Sequence, residues 1–183
     1  MTLGMPAIAD PLKSEAFERE RKKAEEKKEE EKQAEQAQKI SPEELKQKVS
    51  DWAEKQFETL PNNIKKKMNT ATVVYDEKTG KCYYGRNGAP YELGYVKNPK
   101  LFGENGILPK ESLNGYRVGN CAEVDAVNQA LNNGANLKDL HMTTIHTTKS
   151  SFGKGKEACE NCTEAFKGKI KQNYTGWKGD KNE

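Results

Sequence analysis

Two short runs hold the residue types that can do chemistry: Cys121-Ala122-Glu123 and Cys159-Glu160-Asn161-Cys162. Both thiol groups fall at the first turn of an expected helix, where free backbone N–H groups and the positive end of the helix dipole favour thiolate over thiol. Cys159 and Cys162, three residues apart, share one helical face and can chelate a single ion. Cys121 supplies a third thiolate. Three protein ligands leave one position of a tetrahedral zinc open, the arrangement of a catalytic site and not of a closed structural one. Glu123 stands two residues beyond the first ligand, near the metal without having to bind it. Water activated by zinc needs such a base to take up its proton and hand it on.

The elements that must position these groups can be traced along the chain. Ser41-Pro42-Glu43-Glu44 is a capping box with proline at the first helical position, so a helix should follow. Leu45, Val49, Ala53, Trp52, Phe57 and Leu60 trace its apolar stripe, which stops at Pro61. Thr70 to Tyr75 and Lys81 to Gly85, joined by Asp-Glu-Lys-Thr-Gly, predict a β-hairpin. Residues 86–119, rich in glycine with prolines at 90, 99 and 109, predict a long irregular connection, and loops of that length are often functional. Asn120 is expected to cap a helix that carries Val124, Val127 and Leu131 and ends at Gly134. Leu140 to Thr148 should form a buried strand, Cys159 should open a further helix, and Asn173 to Trp177 a last short strand. The order is that of an α/β arrangement with helices packed on a sheet.

Composition divides the chain in two. Its 183 residues are 33% hydrophobic and 32% charged, with a net charge of +3 and a mean hydropathy of -1.03. Globular chains are usually about 45–50% apolar and about 25% charged. Residues 1–40 hold 9 basic and 10 acidic side chains, leaving 22 and 18 for residues 41–183. The first segment therefore reads as a charged linker or a single solvated helix with no apolar seam for a coiled coil. The second is long enough for one catalytic domain with its own core. Nothing approaches the run of about 18 apolar residues that a membrane span needs, and the opening residues resemble no signal peptide. The small net charge does not by itself indicate a nucleic-acid binder. The lysines at 149, 154, 156, 167, 169 and 171 gather around the second cysteine run and favour a phosphate-bearing substrate slightly.

C-x-E followed by C-x-x-C, on two helices flanking a strand, is the signature of zinc-dependent cytosine and adenine deaminases. The run GNCAEVDAVNQALNNGANLKDL at 119–140, the threonine-rich strand after it and CENC at 159–162 resemble the YwqJ-like deaminases, a family of C-terminal domains in bacterial polymorphic toxins. The resemblance covers roughly residues 70–170. It implies a three-layer cytidine deaminase-like fold, a mixed β-sheet flanked by helices. It implies zinc held by Cys121, Cys159 and Cys162, and Glu123 as proton shuttle. The implied reaction is hydrolytic deamination of a base, cytosine to uracil, in single-stranded DNA, RNA or a nucleotide. The implied setting is a secreted effector acting in the cytoplasm of a target cell, with a cognate immunity protein in the producer. Asn87 stands where deaminases of this fold often hold the substrate sugar or base, and Phe152 is a candidate to stack a flipped base. Two departures stand out. Ala158 occupies a place where many deaminases have proline, and Cys121 replaces the more common histidine, a variation the all-cysteine form of the site admits.

Other uses of the same residues compete. Asn87-Gly88 is also a turn dipeptide. His141, His146, Cys159 and Cys162 have the numerical spacing of a zinc finger, but two histidines five apart on a strand point to opposite faces. The four cysteines could in principle form two disulfides, although a chain of this size without a secretory signal has no need of them. Cys82, in the hairpin, is expected to be a buried thiol. A deaminase-fold or zinc-finger-like module that only binds nucleic acid or a partner protein is the other functional class, and Glu123 is the residue such a module would not need.

Overall fold

The computed structural model describes residues 3–5, 10–37 and 40–180. The charged segment forms one helix, α1 (Pro11–Ala37), and every side chain in it whose burial is described is exposed. Charge patterning allows this helix and leaves it nothing to bury. The junction at residues 38 and 39 lies outside the described residues.

Helix α2 (Pro42–Thr59) begins as its capping sequence predicts, with Ser41 Oγ accepting from the Glu44 N–H at 3.1 Å. Its buried side chains are Leu45, Val49 and Ala53, four residues apart along one stripe. A short turn of helix, α3 (Asn62–Lys65), leads into the hairpin of β1 (Thr70–Asp76) and β2 (Lys81–Arg86). The long connection after β2 contains only a 3₁₀ turn at Ala89–Tyr91 and a single helical turn, α4 (Pro99–Phe102). Helix α5 (Ala122–Asn132), β3 (Leu140–His146), α6 (Glu160–Phe166) and the two-residue β4 (Gln172–Asn173) follow. The last strand is shorter than its sequence predicts, because the chain turns at residues 173–176 through the Asn173 side chain, which bonds Gly176 O and the Thr175 N–H.

The four strands form one mixed sheet in the order β2-β1-β3-β4, with β3 and β4 parallel and the other pairs antiparallel. The alternation of side chains along β1 and β3 splits the core in two. Ala71, Val73, Tyr75 and Ile145 pack with Leu45, Val49 and Ala53 of α2. Val74, Leu140 and Met142 pack with Val124, Val127 and Leu131 of α5 and with Cys162, Ala165 and Phe166 of α6. Helices thus cover both faces of an α/β sheet. Gly85 sets how closely α5 approaches β2: a Cβ there would stand 2.3 Å from Ala126 N and 2.5 Å from Ala122 O. That contact fixes the first turn of α5, next to Cys121.

The same helix anchors the long connection. Asp125, buried, accepts from the Arg86 N–H at 3.0 Å and from Tyr95 Oη at 2.7 Å. Asn128, fully buried, accepts from the Asn98 N–H at 2.7 Å and donates to Val96 O at 2.8 Å. Buried polar groups must be hydrogen-bonded, and here their partners are the backbone and side chains of the irregular segment.

Candidate metal centre

Cys121 and Cys159 are the N-cap residues of α5 and α6, each with extended backbone, and Cys162 lies in the first turn of α6. Asn120 therefore does not cap α5 as the sequence predicts. Its carbonyl instead accepts from the Gly88 N–H, and the helix starts one residue later. The two helix starts bring the three thiols together. Their sulfurs lie within 4.8 Å of one another, and the Cys121 and Cys159 sulfurs are 3.3 Å apart. Tetrahedral zinc with thiolate bonds of about 2.3 Å places sulfurs roughly 3.8 Å apart, a value inside that range.

All four cysteines are free, and the 3.3 Å separation is far too long for a disulfide. The group can hold a metal ion. Its electrostatics favour one. Hydrogen bonds from the Cys121 and Cys162 thiols, with the Asn161 and Cys162 N–H groups, hold Cys159 well below the ordinary thiol range despite its burial. Hydrogen bonding with Cys121 and then Cys159, followed by burial, pushes Cys162 up, and Cys121 rises mainly through its bond to Cys159. Three thiols this close cannot all ionise unless a cation compensates them.

Glu123 completes the arrangement. It is 2% exposed, and its Oε1 has no hydrogen-bond partner. Burial pushes its carboxyl above the usual carboxylate range, against the lowering pull of Lys156, its own N–H and the Thr144 hydroxyl. Glu123, Cys121 and Cys159 line one cavity of about 320 Å³, together with Asn87, Asn120 and His146. Cys162 sits behind it, fully buried. The soft donor set and an orphaned carboxylate oxygen beside it both fit zinc.

The structure brings Asn87 to this cavity but commits its amide elsewhere. Oδ1 accepts from the Asn69 and Thr70 N–H groups at 2.9 and 3.1 Å, and Nδ2 donates to Lys67 O at 2.7 Å. Asn87 thereby ties the start of β1 to the end of β2 and shapes the cavity wall. Phe152 is not brought to the cavity: it packs against the cluster under α2. Thr148 lines the cavity, while Thr147 is buried and bonded to Met68 O.

The two histidines separate as strand geometry requires. His146 lines the cavity, whereas His141 bonds Glu77 at 2.8 Å and Tyr174 at 3.1 Å. No histidine joins the thiol group among the described residues. Cys82, expected to be buried, is half-buried: it packs at the edge of the cluster under α2, across the sheet from the three thiols. The lysine group also divides. Lys156 lines the cavity, Lys167 pairs with Asp180 and Lys171 with Glu77.

Sequence reasoning did not single out Tyr116 or assign Asn120 to the cavity wall, yet both line it. The available signal was an aromatic residue in a glycine-rich loop just before the first metal-binding run. Among the described residues, no helix is long and apolar enough to cross a membrane. Comparison with protein-family models, curated proteins and solved structures finds no match.

Proposed function

We propose that the protein is a zinc-dependent hydrolytic deaminase that converts cytosine to uracil, on a cytidine deaminase-like fold of the YwqJ-like kind. The observation that carries this is Glu123, a carboxylate buried with one unpartnered oxygen, two residues past Cys121 and in the same cavity as Cys121 and Cys159. A closed structural metal site gives no reason to bury an unpartnered carboxylate, which is costly. Proton transfer gives one.

Cys121, Cys159 and Cys162 would hold the metal. Zinc bound there supplies Lewis acidity, which makes water a usable nucleophile at neutral pH. Glu123 Oε1 accepts the proton from that water. Burial favours the protonated carboxyl, so Glu123 would hand that first proton to the ring nitrogen, then take a second one from the hydroxyl left on the attacked carbon and deliver it to the departing amine. Lys156 and the Thr144 hydroxyl act the other way and keep the carboxylate form accessible. The reaction balances as one water consumed, a carbonyl in place of the exocyclic amine, and one ammonia released. A partly polar cavity of about 320 Å³ suits a planar base.

The family resemblance at 119–162 supports a wider reading. The domain acts as a secreted effector in the cytoplasm of a target cell, the producer is protected by a cognate immunity protein, and α1 serves as a connector. The test is to incubate zinc-loaded protein with single-stranded DNA, duplex DNA, RNA and free cytidine and to assay each for uracil or uridine. Product from at least one is expected. Zinc-loaded protein that yields none from any of them would overturn the proposal.

A further inference from the structure

Beyond the cavity that holds Glu123, the surface continues into a second groove of about 500 Å³, and Tyr116, His146, Lys156 and Cys159 line both. A free nucleoside has no use for the second groove. Tyr116 stands at the junction. It is 68% exposed and belongs to neither apolar cluster, yet its backbone is firmly held. Ser112 Oγ donates to Tyr116 O at 2.5 Å, and the Tyr116 N–H donates to Asn114 Oδ1 at 2.9 Å.

Those loop residues are in turn fastened to the metal-binding helix. The Leu113 N–H donates to Asn161 Oδ1 at 2.8 Å, Asn161 Nδ2 donates to Ser112 Oγ at 3.1 Å, and Asn114 Nδ2 donates to Glu160 Oε2 at 2.9 Å. Asn161, between the two cysteines of α6, is 2% exposed. A buried asparagine thus holds in place the backbone that carries an exposed aromatic ring, in an otherwise irregular loop. Core packing does not account for that arrangement, whereas a stacking surface on a fixed backbone does.

The charges of the second groove point the same way. Lys178 is engaged by Glu157 at 3.5 Å and Glu160 at 3.9 Å. Lys156 makes no salt bridge among the described residues; its amine donates to Glu157 O at 3.4 Å, and its charge acts on Glu123 across the shared wall. The junction therefore offers one aromatic face and one cation outside any salt bridge, which match a base and a phosphate.

We propose that Tyr116 is the platform on which the base next to the target base stacks, with Lys156 facing the phosphate between them, so that the substrate is a single polynucleotide strand and not a free nucleoside. This rests on the reading of the Glu123 cavity as a base pocket. The test measures binding without turnover, by fluorescence anisotropy of labelled single-stranded DNA and RNA oligonucleotides on zinc-loaded Glu123→Gln protein. Tyr116→Ala should weaken binding about tenfold or more, Tyr116→Phe by no more than about twofold, and Tyr116→Trp should bind at least as well as the parent. Lys156→Met should lower the slope of log affinity against log salt by roughly 0.7. The DNA and RNA arms distinguish the two kinds of strand. Equal binding by Tyr116→Ala, or no binding of either strand, would overturn the proposal. Tyr116-dependent binding without deamination of any base would refute the function proposed above and leave this inference standing. Deamination with binding indifferent to Tyr116 would do the reverse.

Discussion

The two faces of the sheet are built from opposite materials. Under α2, the packed side chains are mostly apolar, with the Thr143 hydroxyl buried and unpartnered beside them; Trp52 and Tyr84 stack at 5.5 Å, and Cys82 is a half-buried packing residue. Under α5 and α6, the apolar cluster is bordered by Glu123, Asp125, Asn128 and Asn161, all buried, and by three thiols whose sulfurs lie within 4.8 Å of one another. Burying so many polar groups on one side is justified only where each has a partner or a task. Asp125, Asn128 and Asn161 have partners in the long connection, whereas Glu123 Oε1 has none. One face supplies cohesion and the other supplies a site, and identical residue types behave differently on the two.

The cysteines offer the sharpest way to break this contrast. Cys162→Ser should abolish stoichiometric zinc and, in zinc-containing buffer, lower unfolding stability by about 3 kcal/mol or more, because metal binding is linked to folding. Cys82→Ser, on the other face, should keep its zinc and change stability by about 1 kcal/mol at most. Elemental analysis and urea unfolding read both outcomes. Zinc lost from Cys82→Ser would erase the distinction.

Next in size is the core under α2. Leu45 is fully buried there, so Leu45→Ala should cost about 2–5 kcal/mol. Zinc per folded chain should stay at the parent value, which separates cohesion from the site. The smallest effect belongs to α1. Its described side chains bury nothing, so deleting residues 1–37 should shift stability by no more than about 0.5 kcal/mol. A larger loss by urea titration would mean that the charged helix is part of the fold.

What could be read in advance follows the range of the interactions involved. The α2 stripe, the hairpin and the start of α6 at Cys159 depend on neighbours a few residues apart, and their spacing carries them, whereas the start of α5 is carried only to within one residue. The connection from 86 to 119 could not be read that way. Its order comes from Asp125, Asn128 and Asn161, which look like solvated polar positions until the chain folds and bonds them to residues some 30 to 50 positions away. The same distance effect hid the engagement of the Asn87 amide with residues 67–70 and the removal of Phe152 to the α2 cluster. Tyr116 escaped notice because its place depends on Asn114 and Asn161, not on local pattern.

Glu123→Gln separates a thiolate-bound zinc that works with the Glu123 carboxylate in deamination from a metal that is only held. Zinc content and uracil formation should be measured on the same preparation as the parent protein. Parent-level zinc with uracil formation reduced by about a hundredfold or more is the predicted result. Parent-level zinc with undiminished uracil formation would contradict it.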